Sequence, residues 1–388
     1  MRELFNLIVD LNSVTLSSHR EAGASSKGET NVCIENDAVA DDRTLAWIDD
    51  VFGGAWSSEA HAGSNVLALR DGAPVGFATY DPKGLKFAWL RGLAREPGVG
   101  VFGPIGVAQD QRGTGLGKEL LHRALAALRA RGYERALIPA VGSPRLIQYY
   151  SDAAGATVAE RFDGVAWASK RPRVVVMASG SGTNLQAVLD SSGDGVLPIE
   201  IAAVVCNNPD AYAIERARNA HVAVEVLPWR RTEESRDGYD ERLLAAVRAY
   251  EPDLVLLLGW MHLLAEPFVG AFAALLNLHP AFLPLDPQRD DVGMPDGTSI
   301  PAFRGAHAVR DALAAGSAWT GATVHAVTPS TDRGPVLVRK PLRLEKGENE
   351  PAVMSRLHPL EHRVVASAIV RWIYERSFDC APSALRSG

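Results

Sequence analysis

From Val174 onward the chain repeats one pattern that few folds can accommodate: a short, wholly apolar run followed by a segment with helical spacing. Val174–Ala178, Ile199–Cys206, Ala223–Leu227, Leu254–Leu258 and Leu275–Leu278 read as strands. Asn184–Asp190, Ala211–Ala220 and Tyr239–Tyr250 read as helices between them. A strand that is apolar at every position has no face for water. Such strands must be covered on both sides, which implies a parallel sheet between two helical layers.

The upstream half reads differently. Phe5–Val9 could be a strand, Ser17–Thr30 is a polar Gly/Ser-rich loop, and Thr44–Phe52 has helical spacing. Val66–Arg70 and Val75–Tyr80 flank Asp71-Gly72, a turn pair that predicts a β-hairpin. Val101–Val107 is a further strand. It precedes a glycine-rich run, Gln111–Gly117, and a helix over Lys118–Arg131 with Leu120, Leu121, Ala124, Leu125 and Leu128 on one face. Arg135–Val141 reads as a strand, and Ser143-Pro144 opens a helix that ends near Gly155. Ala168-Ser169-Lys170-Arg171-Pro172 is short and polar, so we place a boundary there, giving domains 1–168 and 171–388. A chain of 388 residues is long enough for two or three domains.

Composition narrows the function classes. The net charge of −6 gives no general attraction to nucleic acid or anionic membranes, so neither is expected as a partner. The three cysteines, Cys33, Cys206 and Cys380, have no C-x-x-C spacing, so no zinc site or redox pair is indicated and no metal is expected. Few unpaired cysteines fit a reducing compartment. The N-terminus makes a poor signal peptide, and no stretch of eighteen apolar residues is present. A cytoplasmic protein is the expectation; the oligomeric state is not legible.

Two motifs carry chemistry downstream. Ser179-Gly180-Ser181-Gly182-Thr183-Asn184 follows the first strand and opens the first helix. It lacks the third glycine of a dinucleotide fingerprint, and the second strand ends in Cys206-Asn207-Asn208 without an acid for a ribose, which disfavours a dehydrogenase. It also lacks the Lys of a Walker loop. What remains is a small anion cradle at a helix N-terminus. The second motif is Asn277-Leu278-His279-Pro280, whose Asn and His are two apart and so share one strand face. Gly321–His325 and Thr331-Asp332-Arg333-Gly334-Pro335 lie far downstream. Asn, His and Asp together can polarise a carbonyl and move a proton, as acyl transfer to an amine requires. A strand-end Asn and a capping His are the structural alternative.

In this order the motifs resemble those of the folate-dependent formyltransferases, over Arg171 to Arg376 and including Leu258-Gly259-Trp260-Met261. The resemblance implies a Rossmann-like, mostly parallel α/β domain that uses 10-formyltetrahydrofolate to formylate a primary amine of a small molecule. It implies Asn277, His279 and Asp332 as catalytic residues, with Asp332 able to keep His279 charged and to accept a proton from the amine. It implies Leu258, Trp260, Met261, Leu263 and Val327 around the folate. Gly182, Thr183, Asn184 and Glu361 are implied around the acceptor, whose phosphate and ribose they hold in that family.

The upstream glycine run, with Arg112, Gly113, Gly115 and Gly117, can bend the backbone towards a phosphate at a helix start. The run and its strand order resemble the acyl-CoA loop of GNAT-family N-acetyltransferases, over residues 45–165. That resemblance implies a mixed α/β domain, acetyl-CoA as cofactor and Tyr150 as the acid that protonates the departing thiolate, with Tyr149 as the other option. Val101–Val107 carries no acid where that family usually places its base. A bifunctional enzyme and a formyltransferase with a non-catalytic docking module therefore both stay open, as does a formyl-folate hydrolase.

One departure stands beside the downstream site. Asp286–Ile300 separates Leu283-Pro284 from Phe303-Arg304-Gly305-Ala306-His307, which normally follow within a few residues. We read it as an insertion of about fifteen residues, a loop that covers the acceptor and whose removal the fold tolerates.

Overall fold

Successive residues of Arg173–Ala178 enter two different cores. In this computed structural model, Val174, Val176 and Ala178 pack with Leu254 and Leu256 on one side. Val175 and Met177 pack with Val255 and Leu257 on the other. This is the double burial that an uninterrupted apolar run demands. The structure describes residues 3–14, 32–53, 56–81, 96–163 and 171–376. The chain divides into two compact units, one of Met1–Trp167 with Pro295–Thr298 and Tyr374–Gly388, and one of Ala168–Met294 and Ser299–Ile373.

The N-terminal unit runs β1 (Glu3–Asp10), β2 (Val32–Ala38), α1 (Asp42–Val51), α2 (Trp56–Ala62), β3 (Ser64–Arg70) and β4 (Ala73–Tyr80). It continues through β5 (Val99–Val107), α3 (Leu116–Ala130), β6 (Arg135–Val141), α4 (Pro144–Ala154) and β7 (Thr157–Asp163). Among the described residues its sheet has the order β2-β3-β4-β5-β6-β1-β7. The β3–β4 hairpin turns at Asp71 and Gly72, both at positive φ, as the sequence predicts. Strands β5 and β6 are parallel and pair only from Val99–Arg135 to Val101–Leu137. Beyond that point β5 continues to Val107 with no ladder partner on β6 among the described residues, so the two strands diverge. The expected loop at Ser17–Thr30 and residues 168–170 of the expected boundary lie outside the described residues.

The C-terminal unit alternates as expected: β8 (Arg173–Ala178), α5 (Thr183–Gly193), β9 (Glu200–Cys206), α6 (Ala213–Asn219), β10 (Val224–Val226), α7 (Arg236–Arg248), β11 (Leu254–Leu257) and α8 (Glu266–Val269). Then come β12 (Leu275–His279), β13 (Asp291–Gly293), β14 (Ser299–Pro301), α9 (Ala308–Ala314), β15 (Trp319–Ala326), β16 (Val336–Arg343) and α10 (Glu350–Arg376). Its sheet has the order β10-β9-β8-β11-β12-β15-β16. Neighbours from β10 to β12 are parallel, and β12–β15 and β15–β16 are antiparallel. The fold is thus mixed α/β followed by mostly parallel α/β.

One expectation needs correcting. The insertion is not a structureless loop. Its ends pair as the β13–β14 hairpin, and Val292, Met294 and Ile300 are buried. Alternating apolar residues at 292, 294 and 300 carry that signal. Charged and turn residues around them conceal it. No helix among the described residues is long and apolar enough to cross a membrane.

Candidate functional site

Leu276 and Leu278 of β12 point into one core, which turns Asn277 and His279 to the opposite face together. Antiparallel pairing then sets His325 of β15 directly opposite Asn277. Asp332, on the turn between β15 and β16, closes the cluster. Its Oδ2 lies 3.5 Å from His279 Nδ1, and its Oδ1 lies 3.4 Å from both His325 Nε2 and Asn277 Nδ2. The Gly305 N–H donates to Oδ2 at 2.7 Å. The three residues predicted to be catalytic therefore meet, and they meet around a fourth.

The protonation states follow from the partners. Burial alone would raise the Asp332 carboxyl, but the His325 hydrogen bond, the His279 ring and the Gly305 N–H outweigh it and hold the group below the usual carboxylate range. Asp332 is ionised. Burial pulls His279 below the ordinary histidine value, with Asp332 opposing this. Desolvation of the enclosed imidazole thus works against the expected role of Asp332 in keeping His279 charged, with the carboxylate 3.5 Å away pulling the other way. The Phe303 carbonyl can only accept, so the His279 nitrogen 2.7 Å away, Nε2, carries a proton. By the same logic His325 Nδ1 donates to the Ala326 carbonyl at 2.8 Å, while its Nε2 lies 3.4 Å from Asp332 Oδ1 and 3.2 Å from Asn277 Nδ2. His279 and Asn277, expected as free donors, are both engaged with protein acceptors here.

The anion cradle forms as its sequence suggests. Gly182 caps α5 at φ +70°, and a Cβ there would come within 2.9 Å of Ala213. Only glycine permits both the conformation and the approach. Thr183 begins α5. Asn184 Nδ2 donates to Glu361 Oε2 at 2.8 Å, joining residues that are 177 apart in sequence. The Asn184 Oδ1 is buried without a protein partner. Burial pushes the Glu361 carboxyl up, opposed by Asn184 and His358. Sequence reasoning missed Arg216, whose Nε donates to the Ser181 carbonyl at 2.8 Å and whose Cδ lies 3.3 Å from a Gly182 Cβ position. Its signal, one arginine in a short helix, is too common to stand out.

The expected folate residues divide by depth. Leu258 and Trp260 are buried, whereas Met261 and Leu263 are 55% and 70% exposed. Met261 N–H donates to Ser179 Oγ at 3.0 Å, tying this loop to the cradle strand. Arg236 holds the Leu263 carbonyl. Val327 lies half-buried on the core beneath, its N–H bonded to the Leu275 carbonyl at 2.8 Å. A planar ring meeting this loop finds backbone and two outward apolar side chains.

In the N-terminal unit, Arg112 leads into Gly113 and Gly115, both at positive φ with open space where a Cβ would stand, and α3 starts at once. A Cβ on Gly117 would stand 3.4 Å from the Tyr149 hydroxyl. Tyr150 is 7% exposed and packs edge-on against Phe102, the first residue past the paired stretch of β5. Burial raises both tyrosine hydroxyls, so both stay protonated at neutral pH. The two candidates thus face different places, Tyr149 the glycine loop and Tyr150 the point where β5 and β6 part.

A mostly parallel sheet with an anion cradle at its first strand and a carboxylate–imidazole–amide cluster at its fifth fits an acyl-transferring α/β enzyme. Comparison with known proteins is more specific. Residues 172–285 and 298–369 match the formyl transferase family model, and residues 34–155 match that of the GNAT acetyltransferase family. The unmatched stretch between the two formyl transferase segments falls within the insertion. Phosphoribosylglycinamide formyltransferase of Escherichia coli K12 is 34% identical over 200 residues, which are 51% of this chain and 85% of that protein. The enzyme of the same name from Mycobacterium tuberculosis H37Rv is 37% identical over 198 residues, 51% of this chain and 83% of that protein. Glycinamide ribonucleotide transformylase 1 from Symbiobacterium toebii aligns with TM-score 0.47 at 36% identity, covering 53% of this chain and 89% of that one. The chain belongs to the formyl transferase family, with a GNAT-family domain preceding the formyltransferase domain.

Proposed function

We propose that the C-terminal unit transfers a formyl group from 10-formyltetrahydrofolate to a primary amine of an anionic small molecule, and that the N-terminal unit acetylates an amine from acetyl-CoA. The observation that carries the first half is Asp332, an ionised and largely enclosed carboxylate 3.5 Å from His279 and 3.4 Å from both His325 and Asn277. The folate supplies an activated formyl carbon. Asp332 receives the proton that the attacking ammonium must lose, and His279 relays it to the folate nitrogen, which leaves as its bond to the formyl carbon breaks. Asn277 turns its Nδ2 from Asp332 and His325 to the developing oxyanion. The cradle at Gly182 and Thr183, the orphan Asn184 Oδ1 and the Arg216 guanidinium suit a phosphate-bearing acceptor with hydroxyls near Glu361. Leu258, Trp260, Met261, Leu263 and Val327 line the folate side. The names of the relatives make phosphoribosylglycinamide the first acceptor to try.

Acetyl-CoA fits the N-terminal unit by the open turn at Gly113 and Gly115 and by the divergence of β5 from β6. Arg112 and the α3 amides would hold its pyrophosphate. Tyr150, a protonated phenol beside Phe102, is the acid for the leaving thiolate. The protein acts free of membranes, in the cytoplasm.

The test is a mass-spectrometric screen of amines, phosphoribosylglycinamide first, with 10-formyltetrahydrofolate and acetyl-CoA supplied separately. A product heavier by one formyl supports the reading. Folate turnover with no formylated amine would make the unit a hydrolase instead. Absence of acetyl-CoA binding by calorimetry would make the N-terminal unit a docking module.

A further inference from the structure

We propose that the inserted hairpin is a brace for the Asp332 turn, and that Asp290 is its positioning residue, acting through Arg304 and Arg333. The inference rests on the formyl-transfer reading of Asp332. Asp290 falls in the stretch that the family model leaves unmatched, while both arginines lie in matched segments. Its carboxylate accepts from Arg304 Nη1 at 3.0 Å and from Arg333 Nη2. Each guanidinium also holds the hairpin backbone. Arg304 Nη2 donates to the Arg289 carbonyl at 2.7 Å, and Arg333 Nη1 to the Pro287 carbonyl at 3.0 Å.

The other ends of the same arginines reach the site. Arg333 follows Asp332 in sequence. Arg304 Nε donates to the Asp332 carbonyl at 3.2 Å, and the next residue, Gly305, donates its N–H to the Asp332 carboxylate at 2.7 Å. Asp332 sits at a φ of +52°, a left-handed conformation uncommon among L-residues though tolerated by Asp, and these bonds hold the turn on both sides of it. An isolated ion pair as exposed as Asp290 would contribute little. Here one carboxylate is shared by two guanidiniums that are each anchored at a second point, so the geometry is fixed by a network. The brace sets where the Asp332 oxygens sit between His279 and His325, and the insertion thereby tunes the proton-handling group without touching it.

The test uses the full chain with 15N-labelled histidine. The imidazole nitrogen resonances of His279 and His325, assigned from His→Gln variants, report the Asp332 position without any turnover. The result is therefore read whether or not formyl transfer is found. Asp290→Ala is expected to move the His279 Nδ1 and His325 Nε2 resonances, and Arg333→Gln, which cuts the same link from its other end, is expected to move them the same way. Asp291→Ala is the control. It removes an equal charge from the same hairpin, but that residue pairs with Arg289 and Ser299 only within the hairpin. It is expected to leave both resonances in place. Thermal denaturation verifies that each variant is folded. Resonances of folded Asp290→Ala that superimpose on the wild type would overturn the proposal, as would an equal displacement in Asp291→Ala.

Discussion

Asn277 stands opposite His325 across the β12–β15 ladder, and its Nδ2 lies 3.2 Å from the His325 Nε2. The amide is thereby shared between an imidazole and the Asp332 carboxylate, 3.4 Å away. The sheet register alone brings this about, since a slip of one residue would turn Asn277 into the opposite core. A polar cluster built on paired strands is more rigid than one built on loops. Only Asp332 reaches it from a turn.

Replacing Asp332 by Asn keeps the shape of the cluster and removes its charge. Formyl transfer is expected to fall by about 100-fold or more, because the group acts on the transition state, while folate affinity stays within about tenfold. Turnover and calorimetric titration measure the two sides. The same variant carries a pH signature. The folded carboxyl lies below its unfolded value, so its contribution to stability is present above the unfolded value and is lost as pH falls through the folded one. Acid melting curves of wild type and Asp332→Asn should converge at low pH and separate above it.

Glu361 has the opposite sign. Burial raises its folded carboxyl above the unfolded value, so its stabilising contribution is complete below the unfolded value and is lost as pH rises through the folded one. Glu361→Gln keeps an acceptor for Asn184 and cannot ionise. Its melting temperature should gain on the wild type as pH is raised from about 4 to 7. Melting curves that stay parallel across that range would show that Glu361 is not perturbed. The acceptor KM should rise in the same variant.

The sequence made the framework readable where a local rule applied. The apolar runs at Val174–Ala178 and Leu254–Leu258 predict double burial, and Asp71-Gly72 predicts a hairpin. The i, i+2 spacing of Asn277 and His279 predicts a shared face, and the structure has all three. Pairing between distant segments was not readable. His325 lies within a noted motif, yet its place opposite Asn277 depends on the β12–β15 register. The balance of influences on His279 is hidden for a related reason. A carboxylate partner can be inferred from residue types, but the desolvation that outweighs it depends on what encloses the ring. Arg304 and Asp290 are visible as a motif residue and a loop charge, but their link to each other and to the Asp332 turn is not, because only their two-ended contacts set them apart.

Gly115 takes φ +91° at the start of α3, with open space beside it. Gly115→Glu would put a carboxylate in the turn and strain a backbone conformation that suits glycine. Acetyl-CoA binding is expected to drop below detection in calorimetry, with formyl transfer unchanged. Gly117→Glu should act likewise through its closeness to the Tyr149 hydroxyl. Undiminished acetyl-CoA affinity in both variants would remove the loop from the cofactor site.

Excision of the inserted hairpin is the sharpest test of what it contributes. A disordered loop could be replaced by a glycine linker at little cost, since closing entropy changes slowly with length. The hairpin instead buries Val292, Met294 and Ile300. Fully burying such side chains stabilises by about 1.5–3 kcal/mol each, an upper estimate because the unfolded chain already covers part of them. Replacing Asp286–Ile300 by a short glycine linker should therefore lower the melting temperature by several degrees rather than leave it unchanged. It also removes the carboxylate that holds Arg304 and Arg333, so the turn at Asp332 loses its outer support. Turnover should fall further than in Val292→Ala, which weakens the hairpin core but keeps Asp290. Folate affinity, which the proposed reading assigns to the loop after β11, should change little in either. Equal turnover in the excised protein and Val292→Ala would mean that the hairpin serves only to cover apolar surface.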